Sequence, residues 1–252
     1  MTTLTRSRLR TLTRDQREGL WRALPDSDPL CNGTCRSRFH PVHHPGQGFV
    51  PFDKQREILE EDHLTMLLWG GYRAAKSATA TLKAVELTLC FMADHYAKVA
   101  GQTAWVVGSN YVKTQAEFLN PGLSLNDIFK RLWPPGVVSS GRVDPGEIKL
   151  VAPCARHAPY PTVCTKECRP NKPGYFTIKT KSAEDASSLG MESPIWIILA
   201  EAAHATYEVY TRLGSRVSEA RAKFPGYGML LLEGTADTPD ASLGWYAQLW
   251  KE

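Results

Sequence analysis

Short, nearly continuous apolar runs alternate with segments of helical period along most of this 252-residue chain. The strand-like runs are LTMLLW at 64–69, TAWVV at 103–107, IWIIL at 195–199 and MLLL at 229–232. Such runs are typical of strands that are covered on both faces. Helix-forming stretches, such as residues 77–90, separate them. The pattern predicts an α/β fold with a mainly parallel central sheet flanked by helices.

Residues 1–50 have a different pattern. Thr13 and Gln16 form a capping box ahead of an amphipathic helix that Pro25 ends. This helix is locally basic, and it is either a solvated tail or a contact for nucleic acid or another subunit. Residues 26–50 are rich in Pro, Gly, His and Cys without any period. We therefore predict a basic helix and a Cys/His-containing linker at 1–50, followed by one domain at 51–252.

A Cys-rich segment at about 152–173 interrupts two further predicted strands, 142–151 and 175–179, and we expect it to form the tip of a hairpin. Its soft ligands follow the spacing Cys-x2-His-x6-Cys-x3-Cys, at Cys154, His157, Cys164 and Cys168. A second cluster comprises Cys31, Cys35, His40 and His43. Two interpretations stay open for each cluster, a structural Zn²⁺ site or scattered loop thiols.

The composition restricts where in the cell the protein can act more than it restricts what reaction the protein catalyses. The formal net charge of +4 permits an anionic partner without requiring one. No apolar run approaches the roughly 20 residues that a membrane span needs, and the arginine-rich start lacks the apolar core of a signal peptide. We expect a soluble, intracellular protein that makes no contact with a membrane.

The segment GGYRAAKS at residues 70–77 lies between an apolar strand and a helix, which is the setting of a phosphate-binding loop. Backbone N–H groups would face the phosphates of ATP, Lys76 would reach their β and γ oxygens, and Ser77 would bind Mg²⁺. The predicted nucleotide-binding residues of the loop are Gly70, Gly71, Tyr72, Arg73, Ala74, Ala75, Lys76 and Ser77. Ala75 departs from the pattern, which has glycine before the lysine. The alternative is an ordinary turn between a strand and a helix.

Glu201 follows the IWIIL strand, at the edge of a parallel sheet where ligands bind. A carboxylate there can orient and deprotonate the water that attacks ATP. Ala200 occupies the position where an aspartate normally helps to hold Mg²⁺, so we expect weakened metal binding. The alternative for Glu201 is an acid that interacts with the dipole of a helix N-terminus.

Two further segments fit a nucleotide site. GTADTP at 234–239 directly follows the MLLLE strand, and its Thr235 and Asp237 are placed to sense the γ-phosphate. Gln55, about twenty residues before Lys76, could read the adenine edge through its amide.

In this order, PFDKQ, GGYRAAKS, IILAEAAH and GTADTP resemble the motifs of the ATPase domain of large terminases, the viral DNA-packaging motors. The resemblance covers about residues 50–250. It implies a RecA-like P-loop NTPase of the class with an additional strand and a catalytic glutamate. Its catalytic residues would be Glu201, Lys76 and Arg73, the last matching a basic residue common in that family's loop.

The resemblance also implies partners. The ATPase would assemble as a homo-oligomeric ring with the portal protein and small terminase, in the host cytoplasm and transiently at the procapsid portal, and would drive double-stranded DNA inward. A trans-acting arginine finger is also expected, and Arg142, Arg212 and Arg216 are candidates that no motif singles out. The family's nuclease domain has no counterpart in this sequence, so we expect no DNA cleavage and a nuclease supplied elsewhere. A DNA channel or an ordinary solvated surface could account for the basic residues Lys113, Lys130, Arg131, Lys179 and Lys181, and for each one individually the solvated surface is favoured.

Two other functions stay open. His204 in EAAHA is similar to the acid box of helicases, which favours a helicase-like translocase, although a second RecA-like domain is missing. The substitutions at Ala75 and Ala200 favour a nucleotide-binding structural module with little turnover.

Overall fold

A computed structural model describes residues 57–58, 61, 63–70, 76–118, 125–132, 137–139, 146–152, 174–184, 186–235 and 244–249. The described strands form one seven-stranded sheet. Their bounds are β1 Thr65–Gly70, β2 Thr103–Gly108, β3 Val137–Ser139, β4 Glu147–Val151, β5 Tyr175–Ser182, β6 Trp196–Leu199 and β7 Met229–Thr235. The described helices are α1 Lys76–Asp94, α2 Tyr111–Phe118, α3 Leu125–Leu132, α4 Tyr207–Lys223 and α5 Gly244–Leu249. Short 3₁₀ turns lie at Tyr96–Lys98, Ala186–Leu189 and Ala202–His204.

The strand order is β1-β7-β6-β2-β5-β4-β3. Strands β1, β7, β6, β2 and β5 pair in parallel, whereas β4 is antiparallel to both β5 and β3. The predicted α/β class and mainly parallel sheet are confirmed. Strand β7 lies between β1 and β6, so one additional strand separates the phosphate-loop strand from the strand that precedes Glu201. This is the strand order expected of the predicted RecA-like fold with an additional strand.

The apolar runs account for the strands, because both faces of the sheet are covered. On one face, α1 contributes a nearly continuous buried surface that packs with Met66, Ile198 and Leu231. On the other face, α4 and α5 pack against Ile197 and Leu232. Alternate residues of β1, β2, β6 and β7 thus enter opposite cores, as the two-residue period of a strand requires.

The predicted hairpin is present as the antiparallel pair β4 and β5, with Val151 opposite Tyr175. Strand β4 begins at Glu147, later than the predicted 142, and residues 142–145 lie outside the described part. The Cys-rich tip of the hairpin and its zinc candidates Cys154, His157, Cys164 and Cys168 also lie outside it. The N-terminal segment 1–50, with the second Cys/His cluster, is likewise outside.

Two polar contacts fix the helices to the strands that carry the site. The buried indole Nε1 of Trp196 in β6 donates to Thr88 Oγ1 in α1 at 2.9 Å. Arg221 in α4 donates to the carbonyl of Gly228 at 2.8 Å and to that of Leu64 at 2.9 Å, where β7 and β1 begin. These contacts attach β6 to α1, and they attach the starts of β7 and β1 to α4. Within the described segments, no helix is both long enough and apolar enough to cross a bilayer.

Candidate nucleotide site

The candidate site lies at the sheet edge where β1, β7 and β6 end. These strands run parallel, so Gly70, Thr235 and Leu199 bring their carboxyl ends to the same edge. Gly70 pairs with Thr235 in the register of β1 and β7. In open α/β sheets, ligands bind at this edge. The structure therefore brings Lys76, Ser77, Glu201 and Thr235 to one place, although their roles remain predictions.

Lys76 and Ser77 open α1 directly after the phosphate loop. The ammonium Nζ of Lys76 donates to the carbonyl oxygen of Gly70 at 3.0 Å, across the whole loop. This contact places the lysine charge between the end of β1 and the N-terminus of α1, where anions are stabilised. The loop residues Gly71, Tyr72, Arg73, Ala74 and Ala75 lie outside the described part of the chain, as do Gln55 and Asp237.

Glu233 is the feature of the site that the sequence analysis missed. Its side chain is only 5% exposed, near the end of β7. Its Oε1 accepts a hydrogen bond from Ser77 Oγ at 3.4 Å, and its Oε2 accepts one from the backbone N–H of Glu201 at 3.2 Å. One buried carboxylate therefore joins Ser77, the predicted magnesium ligand, to Glu201, the predicted catalytic base. A signal existed in the sequence, since an acid that ends an MLLL run lies at the ligand edge of a parallel sheet.

Glu201 has an unusual backbone. Its φ of 49° and ψ of 45° lie in the left-handed region, which residues with a Cβ seldom adopt. Its side chain is exposed, and it makes no capping hydrogen bond to the 3₁₀ turn that follows. Glu201 occupies the N-cap position of the turn Ala202–His204, so an interaction with the dipole of a helix N-terminus stays an alternative. Strained backbones of this kind occur often at functional sites.

Helix α5, which follows the predicted sensing loop at 234–239, packs on the face of β7 that is opposite to α1. Tyr246 in α5 stacks on Trp69 of β1 with ring centroids 5.1 Å apart, and its phenol lies against Gly234. A Cβ added at Gly234 would lie 2.4 Å from the Tyr246 hydroxyl oxygen. Burial, and to a smaller extent the charge of Glu233, raises the pKa of Tyr246 well above its usual range. The site and α5 are therefore in direct physical contact.

The residues present suit Mg²⁺, which prefers oxygen ligands and keeps several waters. Ser77 supplies a hydroxyl and Glu233 a carboxylate beside it. Among the described residues, no group of three or more His, Cys, Asp or Glu side chains could hold a metal ion. A magnesium ion would therefore depend on Ser77, on the phosphates of its nucleotide and on water.

Several predicted DNA-channel and arginine-finger residues already have partners within the fold. Lys179 forms an ion pair with Glu192, and Lys181 Nζ lies 5.3 Å from the ring centroid of Trp105. Arg212 pairs with Glu208 at 2.8 Å and donates to the carbonyl of Ala186. Arg216 pairs with Glu219 at 2.9 Å, and Arg142 lies outside the described residues.

No protein-family model matches this chain, and no curated protein matches it. Among solved structures, the large terminase ATPase domain of Thermus phage P74-26 superposes with a TM-score of 0.46 at 18% identity, over 79% of this chain and 73% of that chain. A large terminase from a second thermophilic bacteriophage superposes with a TM-score of 0.45 at 13% identity, over 73% of this chain and 39% of that chain. That terminase in complex with ATP-gamma-S gives a TM-score of 0.44. These structures come from the family that the sequence motifs resemble, while the fold class of this chain follows from its own strand order.

Proposed function

We propose that this chain is the ATPase of a viral DNA-packaging motor, a large-terminase ATPase domain that hydrolyses ATP to move double-stranded DNA into a procapsid. The observation that carries the proposal is the meeting of Lys76, Ser77, Glu201 and Glu233 at the edge formed by β1, β7 and β6. The order of the four sequence motifs directs it toward terminases rather than toward P-loop ATPases in general.

The chemistry follows from where each group lies. Lys76 and the first turn of α1 would bind the phosphates, and a Mg²⁺ at Ser77 would neutralise developing charge on them. The exposed carboxylate of Glu201 is free of any capping bond, so it can accept a proton from water. Thr235 ends the strand beside the loop, where its hydroxyl could follow the γ-phosphate.

Motion would pass from the site to DNA through the segment after Thr235. That segment leads to α5, whose Trp245 donates to the carbonyl of Ala205 at 2.9 Å and stacks on Tyr210. A change at the γ-phosphate would therefore reach both α5 and the turn after Glu201. A homo-oligomeric ring, the portal protein, the small terminase and double-stranded DNA are the partners that the family resemblance suggests.

The test is steady-state ATP hydrolysis with Mg²⁺, with and without linear double-stranded DNA. We expect turnover that DNA stimulates, and we expect Glu201→Gln and Lys76→Ala to abolish it. Glu208→Gln and Lys223→Ala are matched controls, because each makes the same change at an exposed position of α4. Turnover that survives both site changes would refute the assignment.

The outcome also separates the alternatives. Nucleotide binding without turnover, even at protein concentrations that favour a ring, would favour a structural module. Turnover that responds to single-stranded rather than double-stranded DNA would favour a helicase-like translocase. Zinc bound by the Cys-rich segment remains a prediction, which metal analysis of the purified protein would test.

A further inference from the structure

Position 200 carries alanine instead of the aspartate that is usual there. The register of the sheet shows that another acid, Glu233, lies beside this position. The last aligned pair of β6 and β7 is Leu199 with Leu232. Continuing that parallel register by one residue sets Ala200 beside Glu233. Each lies two residues after a residue that faces α1, namely Ile198 and Leu231. Because side chains alternate along a strand, Ala200 and Glu233 face the same side of the sheet.

Glu233 is better placed for the metal side of the site than a residue on β6 would be. Neighbouring strands lie about 4.8 Å apart, and β7 is the strand adjacent to β1. In the register of β1, Glu233 pairs with Leu68, close to the start of the phosphate loop. A longer side chain on the nearer strand thus brings its carboxylate to Ser77 Oγ.

We propose that Glu233 replaces the acid missing at position 200, and that it anchors the magnesium of Mg–ATP through Ser77. The proposal rests on the proposed nucleotide-binding function. A serine hydroxyl that binds a cation through its oxygen lone pairs needs an acceptor for its proton. Oε1 of Glu233 is that acceptor, and such outer partners orient a metal ligand and strengthen it.

The second oxygen of Glu233 gives it a further positioning role. Oε2 accepts the backbone N–H of Glu201, the residue whose backbone is left-handed. Glu233 therefore ties the position of Glu201 to the position of Ser77. Glu233 would act through Ser77 and Glu201, so it is a positioning residue.

The test compares the full chain with Glu233→Gln, measuring affinity for a fluorescent ATP analogue in Mg²⁺ and again in EDTA. In Mg²⁺ we expect the variant to bind at least about tenfold more weakly, in line with the loss of an outer partner of a metal ligand. In EDTA we expect equal or tighter binding, because a negative charge near the phosphates is gone. Glu208→Gln should change neither value. A merely structural role would weaken binding in both conditions, and that result would overturn the proposal.

Two further variants make the test decisive. We define the magnesium-dependent gain as the ratio of the affinity for the ATP analogue in Mg²⁺ to the affinity in EDTA. Ala200→Asp added to Glu233→Gln should restore part of this gain, because it returns an acid to the neighbouring strand. Glu233→Asp keeps the charge but shortens the side chain, and it carries the test if Glu233→Gln does not fold, with a reduced gain expected in Mg²⁺ only. An undiminished gain in the folded variant would overturn the proposal. Absence of nucleotide binding by the unaltered chain in both conditions would instead refute the proposed function.

Discussion

Replacing Glu201 by glycine should stabilise the protein while it abolishes turnover. Residue 201 has φ 49° and ψ 45°, where a Cβ lies too close to the following carbonyl. That conformation costs about 1–2 kcal/mol for a residue with a Cβ. The freer unfolded chain of glycine offsets about 0.4–1 kcal/mol of the relief. The difference predicts a net gain between about 0 and about 1.6 kcal/mol.

The clean comparison is Glu201→Gly against Glu201→Ala, because both lose the same carboxylate and differ only in the Cβ. The side chain of Glu201 is exposed and makes no capping bond, so little else changes. We expect the glycine variant to unfold at higher urea concentration than the alanine variant. At Ser215, exposed within α4, the order should reverse, with alanine more stable than glycine by about 1 kcal/mol.

Urea unfolding followed by circular dichroism measures both pairs, with ATP hydrolysis measured in parallel. If alanine is the more stable residue at position 201 as well as at position 215, the left-handed backbone does not strain the native state and the reasoning fails. If glycine retains turnover, Glu201 is not the base.

Three other expectations concern the packing of the fold and its stability against pH. Gly234→Ala should cost about 1–3 kcal/mol of unfolding free energy, because its Cβ would lie 2.4 Å from the hydroxyl oxygen of the buried Tyr246; a melting temperature within error of the parent would contradict this. Arg221→Ala should cost about 1–3 kcal/mol in urea unfolding, since it removes two hydrogen bonds to carbonyls at the starts of β1 and β7; an unchanged midpoint would show that they contribute nothing. Burial lowers the pKa of His95 from its ordinary value of 6.5, with the charge of Asp94 opposing the shift and Lys98 adding to it. Because the folded pKa is the lower one, the unfolded chain takes up the proton first, so stability is full above about pH 6.5 and falls as pH drops through the folded pKa. His95→Gln should flatten that part of the melting-temperature profile, and an equal slope in the variant would refute the assignment.

The sequence predicted the core strands well, because continuous apolar runs have few other uses in a chain of ordinary composition. The runs at 103–107 and 195–199 appear in β2 and β6 nearly residue for residue. Helix α1 extends beyond the predicted 77–90, to Asp94. Apolar period alone cannot fix a helix end, since the last turn depends on packing such as that of His95 against Phe91.

The sequence pattern alone does not predict the strand order. For this reason it does not predict that Glu233 lies beside Ser77. Periodicity identifies strands but not which strands are neighbours, so an acid in MLLLE was not connected with Ser77, which is distant along the chain. Parallel pairing of β7 with β1 makes that connection. The left-handed backbone of Glu201 could not be predicted either, because neither composition nor periodicity marks a glutamate that adopts it. Glu233 does end an apolar run, so the sequence shows its position at a strand end but not its neighbours.

The central claim is that this edge of the sheet binds and hydrolyses ATP, and the most direct test measures both steps on the same variant. Glu201→Gln should bind Mg–ATP as the unaltered chain does, while its turnover falls by about 10²–10⁴-fold, the usual contribution of a general base. Lys76→Ala should lose binding as well as turnover. Hydrolysis by Glu201→Gln at the rate of the unaltered chain would contradict the account.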